Sequence, residues 1–195
     1  MIPKALPAAV LAALLLSACG PKAITVGSRP FASERALFVD ISGRELAALP
    51  AAAEPVRLVM MDFPWCPACG DAWKSIREGT LAVPRGTVRI YRILFDREML
   101  YFAGGTRESP PLSTSPPPGF EGPGGTGSSR VTTLTALPGA FRKEYRFTQG
   151  PVLLLLAADG TVARKWTGYS TSLTEELVSE LRTRSPAPSP LPPGM

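Results

Sequence analysis

The sequence contains no histidine among its 195 residues. That absence excludes Cys–His nucleophilic catalysis, zinc sites that use histidine and histidine-ligated copper. A long basic run is missing too. Lys and Arg number 21 against 16 acidic residues, spread along the chain, and a net charge of +5 is modest, so no nucleic-acid partner is expected. No internal repeat is evident. Cysteine occurs three times, an odd number that would leave one thiol over in an oxidising compartment. What the chain does have is a 45% hydrophobic share, enough to bury a substantial core. Its 22 prolines and 18 glycines are too many for one compact domain alone, so flexible segments are expected as well.

The most informative stretch is Trp65-Cys66-Pro67-Ala68-Cys69. Before it, Val56, Leu58, Val59, Met60 and Met61 predict a buried strand ending near Phe63. After it, Cys69, Ala72, Trp73 and Ile76 recur at three- and four-residue spacing and so share one helical face. Pro67 suits the first helical position, where its missing N–H would have no partner anyway. Cys66 is therefore expected where a strand hands over to a helix N-terminus, beside unpaired amides and the positive end of the macrodipole. That setting favours a thiolate, the species that attacks disulfides. Cys66 is the candidate nucleophile, and Cys69, one turn on, the candidate resolving thiol that displaces the mixed disulfide. The alternatives for the pair are a structural disulfide or half of a zinc site.

The N-terminus reads as a targeting segment over residues 1–18. Lys4 supplies a positive start, and Val10 to Leu16 form an apolar core too short to span a bilayer. Leu16-Ser17-Ala18-Cys19 resembles the lipobox of bacterial lipoproteins, which implies cleavage before Cys19 and lipidation of that residue. The alternative is an ordinary signal peptide cleaved nearby. Under the lipoprotein reading more than one acyl chain anchors the protein, each buried methylene adding about 0.8 kcal/mol. Lipid on Cys19 also resolves the odd cysteine count, leaving Cys66 and Cys69 as the possible intramolecular pair. A loop that short removes little unfolded-state entropy, so the pair suits exchange better than stapling.

Residues 19–35 read as a tether and lead-in, Ala36 to Ile41 as a strand, and Ser42-Gly43 as a turn. Arg44 to Ala53 reads as a short helix or loop, ended by Glu54-Pro55. Gly79 is a plausible end for the helix after the cysteines, and Val88 to Phe95 a strand. From Ala103 to Arg130 the chain is dominated by Gly, Pro, Ser and Thr, a composition that reads as a long flexible insertion, with a substrate-binding flap as an alternative. Pro138 opens a helix carrying Phe141 and Tyr145. Val152 to Leu156 is a continuous apolar run suited to a central strand. Asp159-Gly160 then signals a hairpin, with Thr161 to Trp166 returning. Ser172 with Glu175 fits a capping box, and Leu173, Leu177 and Leu181 line one face of a last helix. Residues 185–195 read as a disordered Pro-rich tail.

Strand, Trp-Cys-Pro-Ala-Cys, helix, strand, helix, Gly-Pro, buried strand, Asp-Gly hairpin, helix: this order resembles the thioredoxin family over roughly residues 36–184. With the lipobox, it is most similar to membrane-tethered bacterial thioredoxins of the TlpA and ResA kind. The resemblance implies an α/β thioredoxin-like fold, a central mixed β-sheet flanked by helices, with the long insertion. It also implies a cis bond before Pro151, facing the cysteines and leaving the Gly150 backbone to pair with an extended substrate. Trp65, Pro67, Ala68 and Gly150 would shape that groove, with Cys66, Cys69 and Pro151 as the catalytic set.

Two departures stand out. Met60 occupies the place of the family's buried acid, which accepts the proton of the second cysteine. Asp62 lies two residues on and on the same face of a regular strand, so it is a possible proton acceptor or else a solvated turn aspartate. Gly150 stands where thioredoxins often place a bulkier residue. Arg92 falls near the position of a lysine found beside the family's buried acid.

The expected protein is thus an extracytoplasmic, lipid-anchored thiol–disulfide oxidoreductase, a monomer in the cell envelope facing the periplasm or exterior. Its partners would be exported cysteine-containing proteins, the membrane through the N-terminal lipid, and a membrane electron donor or acceptor. No metal and no dissociable cofactor are expected, since the cysteine pair itself carries two electrons. The family role implies a reductant. Two rivals are a non-enzymatic thioredoxin-like binding lipoprotein with a structural disulfide, and a thiol peroxidase.

Overall fold

The computed structural model describes residues 21–63, 65–95, 117, 120, 130–147 and 149–185. The targeting segment with Cys19, most of the stretch from Ala103 to Arg130, and the tail beyond Ser185 lie outside the described residues.

Seven strands and three helices are found among the described residues. In chain order they are β1 (Phe38–Asp40), β2 (Glu45–Leu46), β3 (Val56–Asp62), α1 (Pro67–Leu81), β4 (Val88–Leu94), β5 (Val131–Ala136), α2 (Pro138–Glu144), β6 (Val152–Leu156), β7 (Val162–Thr167) and α3 (Leu173–Arg184). The sheet order is β2-β1-β5-β4-β3-β6-β7. β3, β4 and β5 run parallel, and the remaining pairs are antiparallel. This is an α/β fold with a mixed sheet.

Side chains alternate across a strand, so Asp62 and Phe63 leave β3 on opposite faces. Asp62 meets Trp73 of α1 on one face. On the other, Phe63 packs against Phe95, which meets Phe141 of α2 edge-on at 5.1 Å between ring centroids. β3 and β6 are buried almost throughout, as apolar runs covered on both faces should be.

Several expectations are corrected. Arg44 to Ala53 contains the short strand β2, held as a hairpin to β1 by Phe38 and Val39. Gly79 does not end α1. It lies inside the helix and lets α3 approach, since a Cβ there would stand 3.2 Å from that of Leu177. β5 was hidden by its Thr-Thr-Leu-Thr run, which continues the polar composition before it; threonine is β-branched and suits a strand. The capping box is not formed: Ser172 is the N-cap of α3, but its hydroxyl donates to Glu176, not to a backbone amide, and Glu176 also accepts from Trp166.

Part of the expected tether is also packed. Ile24 and Phe31 are buried, Gly27 and Ser28 exchange backbone bonds with Val162, and the Phe31 N–H donates to the Tyr145 hydroxyl at 2.8 Å.

Candidate active site

Cys66 is the N-cap of α1, with extended backbone, and Pro67 opens the helix. The Cys66 N–H donates to the Phe63 carbonyl at 2.9 Å, and the Cys69 N–H to the Cys66 carbonyl at 3.0 Å. These two bonds set the turn that carries the chain from strand to helix. Cys66 is half-buried, Pro67 exposed, Ala68 half-buried and Cys69 buried, so the first sulfur stands at the surface and the second beneath it. Both are free thiols. Burial is the main influence pushing the Cys69 thiol well up, and the nearby Cys66 sulfur and Asp62 charge add to it. A hydrogen bond from the Phe63 backbone opposes the rise.

Asp62 ends β3 and is only 4% exposed, so it is not a solvated turn residue. Its Oδ2 accepts from Trp73 Nε1 at 3.1 Å and from Arg92 Nε at 2.6 Å. The guanidinium also lies 5.9 Å from the centre of the Trp73 ring. Arg92 thus does stand beside a buried acid, in the next strand. Parallel pairing of β3 with β4 puts Arg92 opposite Met60, on the face that Asp62 shares.

Pro151 comes from the other side. The Gly150–Pro151 bond is cis, the geometry that the resemblance implies. Antiparallel pairing of Val152 with Met61 sets Pro151 beside the end of β3, and the Gly168 N–H donates to the Pro151 carbonyl at 2.8 Å. Gly150 has a reason to be glycine: a Cβ there would lie 2.2 Å from Phe63 Cδ2. Phe63 is buried and flanked by Trp65 and Phe95. One aromatic residue therefore touches both halves of the site, accepting the Cys66 N–H through its backbone and filling the space over Gly150 with its ring.

The chain superposes on solved structures over most of its length. A proposed thiol:disulfide interchange protein DsbE from Chlorobium tepidum superposes with a TM-score of 0.53 at 13% identity, covering 83% of this chain and 99% of that one. The thioredoxin domain of a thiol-disulfide oxidoreductase from Bacteroides vulgatus gives 0.50 at 13% identity, covering 83% and 98%. The fold is that of thioredoxin. No family model matches the chain, and no curated protein sequence does.

Within this thioredoxin fold, the structure brings Trp65, Cys66, Pro67, Ala68 and Cys69 to the mouth of α1, with Asp62 at the adjoining end of β3. Gly150 and Pro151 are brought to the same strand end through Phe63 and Met61. Cys19 lies outside the described residues. Sequence reasoning gave Phe63 and Trp73 only packing roles and did not single out Phe120. Phe120 sets its ring edge-on to Trp73, 5.6 Å between centroids. It is the only aromatic residue between Ala103 and Arg130, and that singularity was the available signal. Among the described residues no group of three or more His, Cys, Asp or Glu side chains could hold a metal ion.

Proposed function

We propose that the chain is a thiol–disulfide oxidoreductase of the cell envelope, of the TlpA and ResA kind, working as a reductant on exported cysteine-containing proteins. The observation that carries this reading is the stacking of two free thiols at one helix mouth, Cys66 reachable and Cys69 buried one turn below. Cys66 attacks a substrate disulfide, because it is the half-exposed thiol of the pair and an incoming disulfide can reach it. Cys69 then displaces the mixed disulfide, closing the Cys66–Cys69 bond and releasing the reduced substrate. Asp62, buried at the end of β3 and bonded to Trp73 of the helix that carries Cys69, is the proton acceptor for that second step. Gly150 and Pro151 present the backbone against which an extended substrate lies, with Trp65, Pro67 and Ala68 completing the groove.

The chain acts as a monomer. Anchoring falls to lipid on Cys19; none of the helices among the described residues is long and apolar enough to cross a membrane. Recharging requires a dithiol donor in the membrane, since each turnover leaves the pair oxidised.

Insulin reduction by the wild-type chain tests the reading against Cys66→Ser and Cys69→Ser. The wild type turns over, Cys66→Ser is inactive, and Cys69→Ser accumulates a mixed disulfide without turnover. A wild-type chain with no thiol-dependent turnover would instead be a binding module with a structural disulfide.

A further inference from the structure

Among the described residues of the Gly- and Pro-rich stretch between β4 and β5, two reach the core. Pro117 is buried, and the Phe120 N–H donates to its carbonyl at 3.1 Å. The Phe120 ring lies against Trp73, edge to face. Trp73 is thereby held from two directions, by Phe120 and by the guanidinium of Arg92. Its indole N–H in turn holds Asp62, whose charge acts on Cys69. Contacts therefore run from an insertion residue to the buried acid, Phe120 to Trp73 to Asp62, and Asp62 stands at the end of β3 beside the helix that carries Cys69.

We propose that Phe120 is a positioning residue for the resolving step: by clamping Trp73 it keeps the Asp62 carboxyl placed to take the Cys69 proton. This rests on the oxidoreductase reading given above. In that step the Cys69 thiol passes its proton to Asp62, and the sulfur attacks Cys66 Sγ of the mixed disulfide. The Cys66–Cys69 bond forms as the bond from Cys66 to the substrate sulfur breaks. That sulfur leaves with the electron pair and is protonated from solvent, and Asp62 returns its proton to solvent. Over the cycle two electrons pass from the cysteine pair to the substrate disulfide, so the step balances without a further reagent. An acceptor that drifts from its donor loses rate steeply, which is why a ring two contacts away can matter.

The test compares the full chain with Phe120→Ala and Phe120→Tyr. Solvent exchange of the Trp73 indole N–H, followed by NMR and assigned by its disappearance in Trp73→Phe, is expected to quicken about tenfold in Phe120→Ala as the clamp loosens. Near neutral pH, kcat for insulin reduction falls about tenfold with KM steady, and the deficit narrows as pH rises and hydroxide replaces the misplaced acceptor. Phe120→Tyr, which keeps the ring, restores both. If Phe120→Ala does not fold, Phe120→Leu, which keeps apolar bulk without a ring, carries the same measurements. Unchanged indole exchange overturns the proposal. So does faster exchange with unaltered kcat, which would make Phe120 packing only, and so does a change confined to KM, which would make it a groove contact. A wild type that never reduces insulin sinks the function reading and the proposal with it, a failure told apart because indole exchange still reports the Phe120 contact.

Discussion

At Cys69 loss of water outweighs every other influence on the thiol. A thiol pushed well up is protonated at pH 8 and reacts slowly until a base relieves it. In the Cys66→Ser chain, Cys69 should therefore alkylate at least about tenfold more slowly at pH 8 than Cys66 does in the Cys69→Ser chain; stopped-time trapping and mass spectrometry measure both. Gly150 is constrained as tightly, by shape. Its missing Cβ would overlap the Phe63 ring, and that ring is boxed in by Trp65 and Phe95. Gly150→Ala should cost about 1–3 kcal/mol of stability in urea unfolding. Cutting Phe63 back to alanine in the same chain should recover part of that loss, because contacting residues are not additive. The C-x-x-C pair and Gly-Pro were legible because each is local in sequence. Asp62 was ambiguous, because its burial depends on partners 11 and 30 positions away that only folding brings together.

Elements were legible where a single periodicity ran unbroken. β6 is five consecutive buried residues, and α3 buries Leu173, Leu177 and Leu181 as their spacing predicts. β5 was not legible, because its threonines match the polar stretch before it and only pairing with β4 and β1 makes it a strand. Gly79 misled in the opposite direction: glycine signals a helix end, yet here it is the contact that brings α1 and α3 together. The Asp159-Gly160 hairpin forms as its dipeptide predicts, joining β6 to β7, and carries a pH signature. Asp159 accepts from the Thr161 N–H, the Thr161 hydroxyl and Arg29, which together hold its carboxyl down at about 2, against 3.8 ordinarily. A carboxyl lowered by folding stabilises above its ordinary value and loses that contribution as pH falls through the folded one. The melting-temperature gap between wild type and Asp159→Asn should thus be full above about pH 4 and close as pH falls toward 2. A gap that widens on acidification would contradict this.

Across the whole molecule, the fold delivers four separate segments to one strand end. β3 and α1 bring the cysteines, β4 brings Arg92, the start of β6 brings Pro151, and the stretch before β5 brings Phe120. The first three follow from thioredoxin topology and could be expected from the order of elements. The fourth could not, since composition alone assigns residues 103–130 to a flexible insertion. Cys66 and Cys69 are expected to form one reversible two-electron couple. Equilibrating the full chain against dithiothreitol or glutathione buffers, trapping with acid and counting free thiols measures it directly. A single two-electron transition near thioredoxin's potential of about −270 mV is expected, and it should vanish in Cys66→Ser. A pair that stays reduced or oxidised across the accessible range, or a transition surviving in Cys66→Ser, would contradict it.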